Sequence, residues 1–157
     1  MRAIALSAAL LLLLAAQAMP DPHDDVLEVF SKMAAALSSD LDQPGGARGG
    51  NADEFMSAVS KDMPDYDTLK ANVNALVRDA EVTSSILPLT EDDQGETYKI
   101  DLDWFLQIRS LEQDGPIVRR REVVHCELRQ EKKHWKVVSL KPVDFFAAEK
   151  LGASAGK

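Results

Sequence analysis

A strict alternation of apolar and polar side chains limits the fold of this chain more than any other feature. It runs through "TYKIDLDWFLQIRSL", residues 97–111. The apolar positions on one side of this segment are Ile100, Leu102, Trp104, Leu106 and Ile108. The polar positions on the other side are Lys99, Asp101, Asp103, Gln107 and Arg109. Successive side chains point to opposite faces in a β-strand, so the pattern predicts a long strand with one buried and one solvated face.

Three other segments in the second half of the chain also have the character of strands. They are "EVTSSILPL", "GPIVRRREVVHCELRQ" and "HWKVVSLKPV", which cover residues 81–89, 115–130 and 134–143. Pro88 cannot donate a hydrogen bond to a neighbouring strand, which limits the first segment to a sheet edge or a strand end. Lys132 and Lys133 mark the turn between the last two strands.

The first half of the chain follows the helical period instead, with apolar residues three or four positions apart. The three apolar stripes are Val26, Leu27, Phe30, Met33, Ala34 and Leu37; Phe55, Met56 and Val59; and Tyr66, Leu69, Val73, Leu76, Val77 and Ala80. Asp24 or Asp25 can cap the first helix, Asn51 the second, and Asp65 marks the start of the third. The glycine-rich "LDQPGGARGG" of residues 41–50 cannot continue a helix and predicts a flexible loop without a phosphate-binding motif.

Helices followed by an antiparallel meander are the order of an α+β domain. We therefore predict three N-terminal helices packed on a curved, mostly antiparallel sheet. The expected domain covers residues 24–147 and includes the loop 41–50. Residues 19–23 and 148–157 are expected to be disordered, because they lack an apolar pattern that would hold them on the core.

The start of the chain has the pattern of a secretory signal peptide. Arg2 is followed by an apolar run from Ala3 to Ala16, and small residues follow at Ala16 and Ala18. The run is shorter than the ~20 residues that a membrane-spanning helix needs. We expect residues 1–18 to be removed, which would make the protein periplasmic or extracellular with no stable membrane anchor.

Charge and cysteine content exclude several classes of protein. The net charge is −8, which disfavours binding to nucleic acid or anionic lipid, because both depend on cationic contacts. Cys126 is the one cysteine, so an exported chain has no internal disulfide. We interpret Cys126 as a small buried hydrophobic residue rather than a nucleophile. His23 with the nearby acids is interpreted as part of the N-terminus rather than a metal site, and we expect neither a metal nor a cofactor.

The pairing of the second and third strands can be predicted from their apolar faces. A three-residue loop at 113–115 aligns apolar residues with apolar residues, whereas a one-residue shift mixes the two faces. The predicted pairs are Trp104 with Val124, Leu102 with Cys126, and Ile100 with Leu128. The same alignment sets Gln107 opposite Arg121 and Asp103 opposite His125 on the solvated face, where we interpret the histidine–carboxylate pair as a cross-strand ion pair.

Two charged residues fall on the core face in this alignment. Arg120 and Glu122 would lie opposite Ile108 and Leu106, and a buried charge without a partner is costly. They must pair with each other, reach water at the mouth of a pocket, or hold a ligand. Phe105 is an aromatic residue on the solvated face, expected beside Val123. An apolar spot there favours a contact between two copies of the chain.

The helical and strand segments together resemble the nuclear transport factor 2-like superfamily. The segments that carry the resemblance are "DDVLEVFSKMAAALSS", "NADEFMSAVS", "YDTLKANVNALVRDAEVTSSI" and "HWKVVSL". The resemblance spans Asp24 to Ala147 and lies in pattern and order, without a catalytic motif. It implies a cone-like α+β barrel with a pocket at its open end. The superfamily includes ketosteroid isomerase, scytalone dehydratase, polyketide cyclases and many non-enzymatic binding or assembly domains, and dimers through the sheet are common in it.

The resemblance also implies where a site would lie. The expected pocket residues are Tyr66, Trp104, Ile108, Arg120 and Glu122. Isomerase-type members use an acidic base with hydrogen-bond donors inside the pocket. Asp101 and Asp103 fall on the solvated face here, so only Glu122 qualifies as a base, with Tyr66 or Arg120 as the donor to an oxyanion.

Three functions therefore remain open from the sequence. The pattern favours an exported, non-catalytic domain that binds a small apolar or weakly acidic molecule, or a protein partner, in a pocket between helices and sheet. The first alternative is an isomerase, dehydratase or cyclase that uses Glu122 and Tyr66. The second is an assembly module that forms a homodimer through the sheet around Phe105 and Val123.

Overall fold

The computed structural model describes residues 21–39, 49–111 and 115–148, and the expected signal peptide lies outside them. Three helices come first, followed by four strands and a short 3₁₀ segment. The helices are α1 (Pro22–Leu37), α2 (Ala52–Ser57) and α3 (Tyr66–Asp79). The strands are β1 (Ala80–Asp93), β2 (Thr97–Ser110), β3 (Ile117–Glu131) and β4 (His134–Lys141). The 3₁₀ segment is Val143–Phe146.

Local sequence explains where the helices begin. Asp21 caps α1 by accepting a hydrogen bond from the backbone N–H of His23 at 3.1 Å, and Pro22 occupies the first turn. The helix thus begins earlier than the cap expected at Asp24 or Asp25, which instead place negative charge in the first turn. Asn51 caps α2 as expected, with its side-chain oxygen accepting from the N–H of Glu54.

The four strands form one antiparallel meander in the order β1-β2-β3-β4, which confirms the predicted fold class. β1 is an edge strand, and its pairing with β2 is interrupted between Pro88 and Thr90. Proline at an edge leaves no ladder hydrogen bond unmade inside the sheet. α3 runs directly into β1, because Ala80 already has the extended conformation that ends the helix.

The opposite edge of the sheet is covered by the segment that follows α2. Val59 forms an isolated parallel bridge with Val137 of β4. The N–H of Ser60 donates to the Val137 carbonyl at 2.8 Å, and the N–H of Val137 donates to the Ala58 carbonyl at 2.9 Å. The short helix α2 is therefore attached to β4 through backbone hydrogen bonds as well as through its apolar side chains.

The predicted pairing of β2 with β3 was wrong by two residues. Trp104 lies opposite Glu122 rather than Val124. The other inward-facing pairs are Leu102 with Val124, Ile100 with Cys126, and Leu106 with Arg120. A shift of two residues leaves every side chain on its own face, so apolar matching cannot separate the two alignments.

Polar partners on the solvated face distinguish the two alignments. His125 lies opposite Asp101 rather than Asp103, and Arg119 rather than Arg121 lies opposite Gln107. In this register the His125 Nδ1 is 2.6 Å from Asp101 Oδ1. The Arg119 Nε donates to the Gln107 side-chain oxygen at 3.1 Å. Cross-strand pairs of this kind each stabilise the sheet by roughly 0.2–1 kcal/mol.

The core lies between the helices and the concave face of the sheet, with Trp104 at its centre. Its ring makes edge-on contacts with Phe30 of α1 and Phe146 of the 3₁₀ segment, with centroids 6.4 Å and 5.1 Å away. Phe55 of α2 packs against both Trp104 and Phe146. One aromatic cluster thus joins α1, α2, β2 and the 3₁₀ segment, and all four rings are buried.

Gly50, at the end of the glycine-rich segment, packs directly against the last turn of α1. A Cβ at this position would lie 2.5 Å from the Leu37 carbonyl oxygen and 2.8 Å from that of Ala36. The next residue donates its N–H to the Ala36 carbonyl at 2.6 Å, so the chain lies directly on the end of α1. Only glycine allows two backbone segments to come this close.

We predict that Gly50→Ala destabilises the protein by about 1–3 kcal/mol, because the added methyl group meets backbone atoms that cannot rotate away. Urea unfolding monitored by circular dichroism would measure the change. A Gly50→Ala protein as stable as the wild type would contradict the close packing of this segment on α1.

Candidate functional site

The interior pocket expected between helices and sheet is filled. Trp104 and Ile108, both predicted to line it, are fully buried core residues. The space against Trp104 is occupied by Phe146 and, behind it, Phe145, whose ring centroids are 5.0 Å apart. The 3₁₀ segment therefore closes the part of the cone where a ligand was expected. Its aromatic pair follows β4 in the sequence as "DFFAA", but no periodicity marks where it packs.

Arg120 holds this 3₁₀ segment in place. Its Nη1 donates to the Phe145 carbonyl at 2.9 Å and to the Ala147 carbonyl at 2.6 Å. Burial lowers the pKa of the guanidinium. Of the side chains that the structure describes, Arg120 alone has buried nitrogens without a hydrogen-bond partner, namely Nε and Nη2. An unmade hydrogen bond of this kind costs about 1–3 kcal/mol.

Glu122 and Tyr66, the two candidates for catalysis, are not brought together. Glu122 is on the inward-facing side of β3, opposite Trp104, but its side chain is exposed. Tyr66 begins α3 and lines a separate surface pocket that includes neither Glu122 nor Arg120. The five predicted pocket residues therefore divide into two core residues, a structural arginine, an exposed carboxylate and one pocket tyrosine.

The surface pocket around Tyr66 lies between α2, the start of α3, and the β3–β4 end of the sheet. Its volume is about 400 Å³. It is lined by Asp53, Met56, Ser57, Val59, Ser60, Lys61, Asp62, Tyr66, Lys70, Glu131 and Lys136. Met56 and Val59 are buried and form an apolar floor, while the charged residues stand at the rim. We call this cavity the Tyr66 pocket.

Hydrogen bonds already occupy some of the polar groups of the Tyr66 pocket. The buried Ser60 hydroxyl donates to Glu131 at 2.8 Å, and Arg129 donates to the same carboxylate oxygen at 3.0 Å. These hydrogen bonds, that of Ser60 first, lower the pKa of Glu131. The Lys136 ammonium group donates to the backbone carbonyl of Ser57. Glu131 is thus a stable carboxylate, and the nearby charge of Lys136 also lowers its pKa.

Lys61 and Lys70 complete the rim of the Tyr66 pocket. Neither makes an ion pair with the residues that the structure describes, and both side chains are exposed. The pocket therefore combines the ammonium groups of three lysines and the phenol of Tyr66 with three carboxylates, those of Asp53, Asp62 and Glu131. Sequence reasoning found Tyr66 but missed these lysines, because they come from three separate segments. The turn at Ser60–Pro64 is the one local signal that α2 and α3 enclose a space.

The outer face of the sheet carries the predicted apolar spot. Phe105 is half-buried and lies opposite Arg121, and Val123 is its diagonal neighbour rather than its direct partner. Val123 is 39% exposed, and Leu87 and Ile117 are 57% and 43% exposed. Arg121 crosses the same face and donates from Nε to Asp103 at 2.9 Å. The face therefore combines exposed apolar side chains with fixed charges.

Two other candidates have structural explanations. Cys126 is buried between Ile100 and Leu140 on the core face, and desolvation raises the pKa of its thiol well above the usual range. A thiol of this kind is not a nucleophile at neutral pH. The His125–Asp101 pair is exposed on the outer face, with Thr90 donating to the second carboxylate oxygen at 2.8 Å.

His23 belongs to a cluster that ties α1 to the sheet. Its Nδ1 is 2.6 Å from Glu91 of β1, and the Tyr98 hydroxyl of β2 donates to the same Glu91 oxygen. The contact with Glu91 raises the pKa of His23 from its ordinary 6.5. Desolvation alone would raise the pKa of Glu91, but the hydrogen bonds from Tyr98 and His23 outweigh it and lower that pKa.

The described residues contain no group of three or more His, Cys, Asp or Glu side chains placed to hold a metal ion. In the same part of the chain, no helix is both long and apolar enough to cross a membrane.

Comparison with solved structures identifies the fold. A conserved protein from Planctomyces limnophilus DSM 3776 superposes with a TM-score of 0.63 at 8% identity, over 76% of this chain and 92% of that one. A hexachlorocyclohexane dehydrochlorinase (LinA) Type2 gives a TM-score of 0.57 at 11% identity, over 76% and 82%. A designed NTF2 protein, Rd1NTF2_05 with five substitutions, gives 0.53 at 12% identity, over 77% and 98%.

The chain has the nuclear transport factor 2-like fold. No family model matches it, and neither does any curated protein. At these identities the superpositions establish the cone-shaped arrangement of helices and sheet. Within this fold, the 3₁₀ segment fills the interior and leaves the Tyr66 pocket open at the surface.

The cluster around His23 generates a prediction about pH. Because its folded pKa is raised, His23 stabilises the protein below its unfolded pKa, and this contribution is lost as the pH rises through the folded value. Glu91, whose pKa is lowered, stabilises the folded protein above its unfolded pKa, and this contribution is lost as the pH falls through the folded pKa.

We expect an NMR titration of the His23 ring protons to give a pKa above 6.5 in the wild type. In Glu91→Gln the pKa should fall towards the ordinary value. An unchanged His23 pKa in that variant would contradict the contact.

Proposed function

We propose that this protein is an exported, non-catalytic binding domain that takes a small, weakly acidic molecule in the Tyr66 pocket. The observation that supports it best is the composition of that pocket. An apolar floor lies beneath the uncommitted ammonium groups of Lys61 and Lys70 and the phenol of Tyr66. Pockets that bind small molecules combine apolar walls with a few polar groups that fix orientation.

The pocket lining carries three lysines and three acids, so its net charge is zero, and the choice of an acidic ligand rests on Lys61 and Lys70, which make no ion pair with the described residues. Glu131 is already hydrogen-bonded to Ser60 and Arg129, so it has little capacity left for a cation. The ammonium groups of Lys61 and Lys70 can donate hydrogen bonds to a ligand. Hydrogen bonds from an ammonium group to a carboxylate are charge-assisted and about twice as strong as neutral ones. A ligand with a carboxylate and a flat apolar body matches both the rim and the floor of the pocket.

The geometry argues against the isomerase or dehydratase alternative. A general base with a useful pKa needs burial beside the substrate. Glu122 is exposed and lies away from Tyr66, while the hydrogen bonds of Glu131 lower its pKa and make it a weaker base. The structural neighbour named as a dehydrochlorinase shares the fold at 11% identity, which carries no residue-level argument for catalysis in this chain.

Export rests on the N-terminal sequence. The charged Arg2, the apolar run from Ala3 to Ala16 and the small residues up to Ala18 are the three parts of a secretory signal peptide. Residues 1–18 come before the described helix α1, so the proposed cleavage site lies outside the described residues.

We predict that benzoate binds the Tyr66 pocket and that Lys70→Glu weakens its binding about tenfold or more. A hydrogen bond to a charged group is worth roughly 1.5–3 kcal/mol, and 1.4 kcal/mol corresponds to a factor of ten. Heteronuclear NMR titration would report both affinity and location, since the amides of Ser60 and Lys70 should shift. Native mass spectrometry of the freshly purified protein would show whether a small acid co-purifies.

Lys99→Glu is the matched control, because Lys99 is an exposed lysine on the outer face of the sheet and the charge change is the same. Its benzoate affinity should equal that of the wild type. If both variants weaken binding equally, the effect comes from net charge and the pocket proposal fails. If benzoate shifts only residues outside the Tyr66 pocket, the proposal fails as well.

A second function, homodimerisation through the sheet, is favoured by the exposed apolar residues of the outer face. Val123, Leu87 and Ile117 share this face with Phe105. A two-fold interface must be complementary to itself. The charges of this face are already paired within one chain, Arg121 with Asp103 and His125 with Asp101, so the exposed apolar side chains would supply the contact between two copies.

We predict that the wild type sediments as a dimer at micromolar concentration and that Val123→Asp sediments as a monomer. A charge placed in the centre of an apolar contact must be desolvated without a partner, which is costly. Leu111→Asp is the control, because Leu111 is 60% exposed but follows the end of β2. A monomeric wild type, or equal effects of the two substitutions, would rule out a dimer through this face.

A further inference from the structure

Arg120 is the side chain in the described core region whose hydrogen bonding is least complete. One nitrogen, Nη1, serves two carbonyls at the end of the 3₁₀ segment, while Nε and Nη2 are buried and unpaired. Buried polar groups in native proteins are hydrogen-bonded with few exceptions, and each exception needs a physical explanation. The arrangement leaves free the edge of the guanidinium that can bind two oxygens at once.

The segment that Arg120 holds is short, and few hydrogen bonds from other elements hold it. Besides the two bonds from Arg120, the Asn72 side-chain amide of α3 donates to the Val143 carbonyl at 3.1 Å. The remaining attachment is apolar, through Phe145 and Phe146 against the aromatic cluster. Residues 143–147 thus depend on three side-chain-to-backbone hydrogen bonds and on the burial of Phe145 and Phe146, so a ligand that opens this segment without unfolding the sheet must replace that buried apolar surface.

We infer that the 3₁₀ segment is a removable plug of the cone, that Arg120 is its latch, and that an apolar carboxylate displaces the plug by taking over the free Nε–Nη2 edge. In the closed state, Nη1 caps the carbonyls of Phe145 and Ala147. In the open state, the guanidinium binds both carboxylate oxygens, and the body of the ligand replaces Phe146 beside Trp104.

The chemistry of the ligand follows from what it must replace. Removal of Phe146 uncovers the rings of Trp104 and Phe55, so the ligand must bring a comparable apolar surface. The Nε–Nη2 edge presents two parallel N–H groups, which match the two oxygens of a carboxylate. A neutral molecule of the same shape fills the space but leaves the guanidinium edge unpaired, and this difference distinguishes the proposal from simple filling of a cavity.

The latch is a different site from the Tyr66 pocket. None of the residues that line the Tyr66 pocket contacts the guanidinium of Arg120, whose recorded partners are Phe145 and Ala147. The nearest charged residue on the same face of β3 is Glu122, which is exposed and makes no bond to Arg120 in the described structure. Because benzoate and octanoate are both apolar carboxylates, the variants separate the two sites: Lys70→Glu should weaken binding in the Tyr66 pocket only, and Arg120→Met should affect the plug only.

Amide hydrogen exchange in the presence of octanoate tests the plug. The N–H groups of Phe145 and Ala147 are bonded to the Pro142 and Asp144 carbonyls within the segment, so their exchange reports its opening. Octanoate at ten times its Kd for the open form should speed their exchange about tenfold, since binding multiplies the open population by 1 + [L]/Kd. Amides in the centre of β2 should not change. Octanamide, which has the same chain without charge, should have little effect.

Arg120→Met should remove the difference between octanoate and octanamide, because methionine keeps an apolar stem but lacks the guanidinium. Arg119→Met is the matched control on the outer face and should respond as the wild type does, as should Lys70→Glu. If Arg120→Met does not fold, Arg120→Lys serves instead, since it keeps the charge but loses the fork, and it should weaken the octanoate effect.

Two results would overturn the inference. Slower exchange of the Phe145 and Ala147 amides in octanoate would mean that the carboxylate binds with the plug in place. Equal effects of octanoate and octanamide in the wild type would mean that Arg120 takes no part in recognition and that the probes act only through their apolar chains.

Discussion

The buried indole of Trp104 is the contact on which the rest of this structure depends. Its ring meets Phe30, Phe55 and Phe146, which come from three different elements. Its N–H donates to the Ser84 hydroxyl of β1 at 2.8 Å, so the one polar atom of the side chain is satisfied inside the core. Trp104 therefore fixes both the helices above the sheet and the edge strand beside it.

A core centred on a large aromatic residue has consequences for where this protein can bind anything. Protein interiors are packed as densely as organic crystals, and the four interlocking rings occupy the part of the described core where the ligand was expected. The open cavity lies instead where α2, α3 and the β3–β4 end of the sheet meet, at the Tyr66 pocket. Arg120 lies on the core face of β3, where the sequence suggested that it could hold a ligand. Because the interior is filled, its partners are instead the backbone carbonyls of Phe145 and Ala147.

Much of the fold could be predicted from local sequence, because the apolar periods of the helices and of β2 are unbroken. The faces of the strands were correct for the same reason. The exact register was not, since alignments that differ by two residues bury the same side chains. The two alignments differ in their polar pairs: in the structure the Asp103 carboxylate contacts Arg121, and Asp101 contacts His125. Such pairs are weak individually, and they can be recognised only once the strands are placed side by side.

The candidate site was harder to predict than the fold because it is assembled from residues that share no segment. Lys61 lies between α2 and α3, Lys70 lies in α3, and Lys136 lies in β4, so no spacing in the sequence connects them. The position of "DFFAA" inside the cone could not be predicted for a different reason. The direction from which it enters the core depends on how the chain leaves β4, which no pattern of apolar residues encodes.

Helix α3 contacts both the Tyr66 pocket and the 3₁₀ segment that Arg120 holds. It begins with Tyr66 in the surface pocket, carries Lys70 on the rim, and presents Asn72 to the carbonyl of Val143 in the plug. Leu69 and Val73 of the same helix are fully buried, which holds it rigidly between the two places. Coupling of two sites requires one element with two arrangements that both sites bias. A helix fixed by buried side chains on both sides of Lys70 does not supply two arrangements, so occupancy of the Tyr66 pocket and opening of the proposed plug should be separate events.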